Sequence, residues 1–320
     1  MKNAIALLAL IAECATATAQ GFPSKPIHLV VGFAPGGAAD IIARTTSDPL
    51  ARALGQSIIV ENKPGAGSSV AAELVARASP DGYTIMIASQ SGMIINPLIN
   101  KNVGYSTARD FAAITQVTSS PLVVAVNPSL PVGSIRELIA EAKKAPGKLN
   151  YATSGNGSLP HLAATLFCAL AGVQMVHVPY KSGGQSVQSV LAGDTQVTFA
   201  TSPSVMPLVQ SGRLRGIAVT TRVRSSLVAG LPGMEEAGLP GYNLSIWYGF
   251  FAPAGTPREV VTRLFQATTR ALQDAKLKEV LARDGTEVLG SRSPEAFAAF
   301  LQEEADVTAR VIRESGAKFD

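Results

Sequence analysis

An α/β protein of two domains is what this sequence predicts, on three observations. Short apolar runs alternate with helical patterns over 27–194, as βα units with parallel strands do. The chain has 320 residues, 47% of them apolar, so it can bury a large core and divide in two. Several joints between an apolar run and a helical pattern are rich in glycine or serine, as in "VVGFAPGGAADIIAR" over 30–44.

Taken in order, the chain begins with a leader. Met1-Lys2-Asn3, an apolar run over 4–12 and Ala15-Thr16-Ala17-Thr18-Ala19-Gln20 have the three parts of a secretory signal peptide, with cleavage expected after Ala19. The run is shorter than the roughly 20 residues that a membrane span needs. A periplasmic protein, soluble after cleavage, is therefore expected. A lipoprotein reading centred on Cys14 competes, against Glu13 where a small residue belongs. With Cys14 removed, Cys168 is alone in the apolar pattern over 162–170, which excludes a disulfide in the mature chain and predicts a buried, unreactive thiol.

Strands are expected over 27–31, 57–61, 83–88, 122–126, 150–152, 175–178, 195–199, 214–219 and 246–252, where apolar residues cluster between turn signals. Intervening helical patterns cover 38–54, 69–78, 135–145, 160–171, 184–192 and 205–211. Pro49 interrupts the first, predicting a kink with Asp48 capping the second half. Two long helices should close the chain. One opens at Thr256-Pro257-Arg258-Glu259, a capping-box pattern with proline in the first turn; the other opens at Ser293-Pro294-Glu295 and runs to about 314.

Four strand-to-helix loops carry the candidate chemistry. In the first, Gly36 and Gly37 free the backbone to gather N–H groups at a helix start, where the dipole favours an anion. The glycines miss the G-x-G-x-x-G spacing and no Lys-Ser/Thr pair follows, so a carboxylate-sized anion fits better than a nucleotide; an empty tight turn is the alternative. Asp40 follows, but its i, i+4 relation to Arg44 favours a structural role. The second loop, Thr153-Ser154-Gly155-Asn156-Gly157-Ser158-Leu159-Pro160-His161, has a similar design and could supply donors across a crevice. Ser154 is not in a nucleophile elbow, since Ala152 and Asn156 stand where G-x-S-x-G needs glycine. Tyr180 and Lys181 in the third loop, and Thr201, Ser202 and Ser204 in the fourth, could face the same crevice.

The remaining composition excludes other classes. Of the 3 histidines, His28 and His177 fall in or beside strands and read as structural, while His161 lies in a candidate site or caps its own helix. No H-E-x-x-H, paired-cysteine or acidic-cluster spacing is present, so neither metal nor cofactor is expected. The net charge of +4 comes without a Lys/Arg run, so no nucleic-acid partner is expected. A monomer is.

Read together, these motifs resemble the Bug receptors, the extracytoplasmic substrate-binding components of tripartite tricarboxylate transporters. The resemblance rests on Phe22-Pro23-Ser24-Lys25-Pro26-Ile27, Val31-Gly32-Phe33-Ala34-Pro35-Gly36-Gly37 with Asp40, and Val60-Glu61-Asn62-Lys63-Pro64-Gly65-Ala66-Gly67. It continues through Pro80-Asp81-Gly82-Tyr83-Thr84, Val178-Pro179-Tyr180-Lys181, Gly212-Arg213-Leu214-Arg215 and Trp247-Tyr248-Gly249 to Ala252-Pro253-Ala254-Gly255-Thr256-Pro257.

It implies a two-domain periplasmic binding protein fold of type II-like topology. Residues 20–121 and 222–320 would form one domain and 122–221 the other, with crossings near 121–126 and 216–221 and the ligand cleft between. It also implies a non-enzymatic receptor for a small organic carboxylate, delivering it to a membrane permease. The ligand would lie between Phe33, Ala34, Gly36 and Gly37 on one side and Thr153, Ser154, Gly155, Asn156, Gly157 and Ser158 on the other, with Ser89 a further contact. Many members carry Phe-Asp-Asn where this chain has Phe199-Ala200-Thr201. Loss of that carboxylate at Ala200 suggests a ligand without an ammonium group. A receptor feeding a sensor kinase and a secreted serine hydrolase remain as alternatives.

Overall fold

The computed structural model describes residues 21–315; the leader and Cys14 lie outside them. Strands β1 (Ile27–Val31), β2 (Ile58–Asn62) and β3 (Thr84–Ser89) are parallel, with β1 between the other two. Helical layers cover both faces here. Thus Leu29 and Val31 enter one apolar cluster and Val30 another, which is why β1 reads as an unbroken apolar run.

Beyond β3 the sheet is mixed, not parallel throughout. Strand β4 (Phe111–Val126) and strand β9 (Ser245–Pro253) are antiparallel to each other, and β9 is antiparallel to β3. From Phe111 to Pro121, β4 pairs with β9; from Leu122 to Val126 it pairs with β7 (Val197–Thr201) and β8 (Arg215–Val219). Parallel to β7 runs β5 (Asn150–Thr153), which in turn pairs with β6 (Val176–Pro179). A short β10 (Glu287–Val288) adds to β4. The sequence expectation caught only the last 5 residues of this 16-residue strand. Register shifts between Ala113 and Thr115 and between Gln116 and Thr118 break the two-residue period on which strand recognition depends.

Helix α1 (Ala38–Leu54) runs unbroken through Pro49, so Asp48 is an interior residue and caps nothing. Before the proline, Thr45, Thr46 and Ser47 donate their hydroxyls to the carbonyls of Ile41, Ile42 and Ala43, and Ile42, Leu50 and Leu54 lock the helix into the core. Packing outweighs the local cost of proline. Helices α2 (Ser69–Ala76), α3 (Asn96–Ile99), α4 (Thr107–Asp110) and α5 (Ile135–Lys144) follow, with a π-helical turn at Ser91–Ile95 leading into α3. Helices α6 (Leu159–Ala171), α7 (Gly183–Ala192) and α8 (Ser202–Gln210) alternate with the strands of the second sheet section.

Three helices close the described chain where two were expected: α9 (Arg258–Ala271), α10 (Ala275–Arg283) and α11 (Pro294–Ser315). The α10 start is set by Asp274, which accepts from the Leu277 N–H at 2.9 Å. Thr256 is no cap. Its hydroxyl donates to the Pro253 carbonyl at 2.7 Å, and α9 begins one residue after the proline.

Candidate ligand-binding site

Four helices start around one cavity. The openings of α1 (Gly37, Ala38, Ala39), α6 (Pro160), α7 (Gly183) and α8 (Thr201) form its walls, together with Phe33, Ser91 and Ser154. Ile246 and Tyr248 of β9 form the floor, and the enclosed space is small, about 20 Å³. No charged side chain lines it.

Two sides of the cavity are stitched together. The Ala34 N–H donates to the Lys181 carbonyl at 3.0 Å, and the Leu159 N–H donates to Ser91 Oγ at 3.0 Å. Glycines permit the approach. A Cβ at Gly184 would lie 2.6 Å from the Gly36 carbonyl oxygen, and one at Gly67 would lie 2.6 Å from that of Asn156.

The helix starts differ in how their donors are used. Ser158 caps α6, accepting from the His161 N–H, and Ser182 caps α7, accepting from the Gln185 N–H; both contacts are 3.3 Å. At α1 and α8 no side chain caps the helix, although the adjoining residues include an aspartate, a threonine and serines. The Asp40 carboxylate, 4% exposed, turns back to the Gly36 N–H and to Arg44 and Asn62, each at 3.0 Å. Those hydrogen bonds hold it below the usual aspartate pKa against the opposing effect of burial. It is thus a latch for the first loop. Thr201 pairs its hydroxyl with Ser204 Oγ at 2.9 Å. At the start of α1, whose Ala38 and Ala39 line the cavity, the N–H groups of these two residues have no acceptor among the described residues.

Among the expected residues, Phe33, Gly37, Ser154 and Thr201 line this cavity. Ala34 forms the stitch, and Gly36, at φ +82°, makes the left-handed turn that aims α1. Gly155 and Asn156, with Tyr180, Lys181 and again Phe33 and Ser154, line an adjoining mouth of about 300 Å³. Thr153 instead bonds His177 Nε2 at 2.6 Å, and Gly157, at φ +71°, packs on Asn96. Ser158 is occupied as a cap, and Tyr180 donates to Ser189 Oγ at 2.6 Å. Ser89 lies at 1% exposure behind Ser91, whose N–H it accepts.

His161 is outside the cavity lining. Its ring stacks on His177 at 3.9 Å, and His177 stacks on Tyr151 at 5.1 Å. Burial drives the pKa of His161 down to about 3 and that of His177 to about 4, the neighbouring ring adding to the first. A base so weakened does not suit the serine-hydrolase alternative. Ala200 also corrects the expectation: it packs with Val123, Ala152 and Val187 in an apolar cluster and is not in the cavity wall. Neighbouring Thr201 takes that place because side chains alternate along β7. Sequence reasoning missed Ser91, Gly183, Ile246 and Tyr248. Ser91 follows an expected strand within no recognised element, and Tyr248 stood out only as part of a motif.

Residues 42–317 match the tripartite tricarboxylate transporter family receptor. The chain belongs to this receptor family. Solved structures agree. The periplasmic binding protein BugD is 32% identical with a TM-score of 0.89, over 93% of this chain and 99% of that one. Rpa4515 of R. palustris, solved with adipate, is 33% identical at TM-score 0.88, over 92% and 98%. MatC of Rhodopseudomonas palustris, with bound malate, is 29% identical at TM-score 0.87, over 91% and 100%. The receptor therefore has the two-domain fold of periplasmic binding proteins, and its role is solute binding, not catalysis. Among the described residues, no helix is long and apolar enough to cross a membrane, and no group of acidic, histidine or cysteine side chains could hold a metal.

Proposed function

We propose that this receptor closes around a small organic carboxylate without an ammonium group and delivers it to a permease of the tripartite tricarboxylate transporter type. One observation carries the reading: the start of α1, with its unfilled donors, lines a cavity that has no charged side chain. A helix start with free N–H groups stabilises an anion. An ammonium would need a carboxylate there; none lines the cavity, and Asp40 in the first turn of α1 is committed to Arg44, Asn62 and Gly36.

The domains are taken as 20–121 with 222–320, and 122–221. In support, β4 changes partners from β9 to β7 at Pro121–Leu122. Closure brings Ala34 to Lys181 and Ser91 to Leu159, so a ligand touching both sides favours the closed arrangement. The receptor acts as a monomer, binds no nucleic acid, and reaches the periplasm after cleavage following Ala19. Calorimetry against succinate, malate, adipate, citrate and benzoate, with aspartate and glutamate alongside, tests the ligand class. At 100 times its dissociation constant, a true ligand adds about 2.7 kcal/mol of stability. Tighter binding of the amino acids overturns the reading.

A further inference from the structure

Strand β9 lies between β3 and β4 near the middle of the sheet, and Ile246 and Tyr248 share the face that floors the cavity. Tyr248 is 4% exposed. Its hydroxyl has no hydrogen-bond partner among the described residues, which sets it apart from four of the other tyrosines. Tyr83 bonds Ser24, Tyr105 bonds the Gly92 carbonyl, Tyr180 bonds Ser189 and Tyr242 bonds the Ala163 carbonyl. A buried phenol usually finds a partner, because leaving one unpaired forfeits its hydration.

The surroundings of Tyr248 explain what kind of partner is missing. Phe33, Ala38, Ala39, Pro160 and Ile246 give the cavity an apolar lining, and no cation is present. Ser91 already accepts from Leu159, and Thr201 is paired with Ser204. Burial pushes the Tyr248 phenol well above its ordinary pKa, so it keeps its proton at neutral pH. It is therefore a fixed donor in the floor, on a different element from the N–H donors of α1.

We infer that Tyr248 is a specificity-determining residue that donates to a second acceptor on the ligand, at the end remote from the carboxylate held by α1. This rests on the carboxylate reading above and narrows it to acids with an acceptor at each end, such as dicarboxylates, over simple monocarboxylates of the same length. Discrimination comes from polarity: a monocarboxylate's methyl end would leave the phenol unpaired, whereas an acceptor satisfies it.

The test measures binding of adipate against hexanoate, and succinate against butanoate, by calorimetry with the wild-type protein and with Tyr248→Phe. Tyr248→Phe keeps the ring and removes only the hydroxyl. The wild type should prefer the dicarboxylate of whichever pair fits. In the variant that preference should shrink about tenfold, dicarboxylate affinity falling and monocarboxylate affinity holding or rising, with the ligand-free melting temperature unchanged. Equal affinity of the wild type for the two acids of a pair overturns the assignment. So does a preference that survives in Tyr248→Phe, or an equal loss for both acids with a lowered melting temperature, which marks a structural role. Failure of every acid to bind either protein overturns the carboxylate reading itself, and the assignment falls with it.

Discussion

Two of the helix starts at the cavity, α6 and α7, are closed by their own serines, whereas α1 and α8 are left without a side-chain cap. Loops that look alike in composition thus use their polar groups for opposite purposes. Ser158 and Ser182 complete helices and stiffen the walls. The Gly36-Gly37 turn has no such group, and Asp40, which could have closed it, is held by Arg44 and Asn62. An uncapped start is costly in isolation and useful where a ligand acts as the cap.

The sharpest way to break this comparison is to hold the two sides apart. Gly184→Val places a branched side chain against the Gly36 carbonyl, 2.6 Å from the new Cβ. Ligand affinity should fall at least 100-fold on the order of 3 kcal/mol, with the far-ultraviolet circular dichroism unchanged. Gly37→Val should act the same way, since its Cβ would sit 3.3 Å from that of Ser182. Unchanged affinity in both would remove the cavity from consideration.

Acid should loosen the capped side first. His161 and His177 fall from an ordinary 6.5 to about 3 and about 4 when buried, so the unfolded chain takes up protons that the folded one refuses. Stability is then full above pH 6.5 and declines as pH falls toward 4, by about 2 kcal/mol per histidine between pH 7 and 5. Melting curves of the wild type and of His177→Gln across that range check it. The variant should lose less on acidification; parallel curves would count against the stacked pair as the cause.

Caps themselves come next in size. Ser158→Ala should cost about 1 kcal/mol of stability and leave ligand affinity nearly intact. Ser154→Ala should do the reverse, because no hydrogen bond engages its hydroxyl within the described chain and it lines the cavity. Denaturant melts and calorimetry on the two variants separate these effects, and reversed results would exchange the two roles. The smallest effect is expected at Cys168, which is half-buried, not fully buried as its apolar pattern suggested, and whose thiol is raised by desolvation to about 11. Alkylation by iodoacetamide at pH 7.5 should be negligible until the protein unfolds, and rapid labelling of the native protein would refute the burial.

The contrast also shows what could be read without coordinates. The first loop was legible because adjacent glycines between an apolar run and a helical pattern have few structural uses. Asp40 was legible too, through its i, i+4 spacing to Arg44. Ser158 was not: whether a serine hydroxyl serves a ligand or its own helix depends on a side-chain torsion, and composition is the same in both cases. Ala200 and Thr201 differ by one step along β7, and only the register with Val123 and Leu122 decides which enters the core. The bulges in β4 hid most of that strand; β9 was expected over 246–252, but not its place as the cavity floor. His161 looked like a site residue from its loop, but its stacking partner His177 lies 16 residues away and no local pattern joins them.

The stitches across the cavity have a kinetic meaning. The Ala34–Lys181 and Leu159–Ser91 hydrogen bonds tie together the two sides between which a solute would lie. If a solute leaves only when those bonds part, its escape is timed by the receptor's own parting and not by the strength of the contacts it makes. Acids of different affinity should then dissociate with a shared ceiling on koff and differ mainly below it, visible in stopped-flow displacement. A permease that lowers the barrier to parting would hasten unloading without needing any affinity for the cargo.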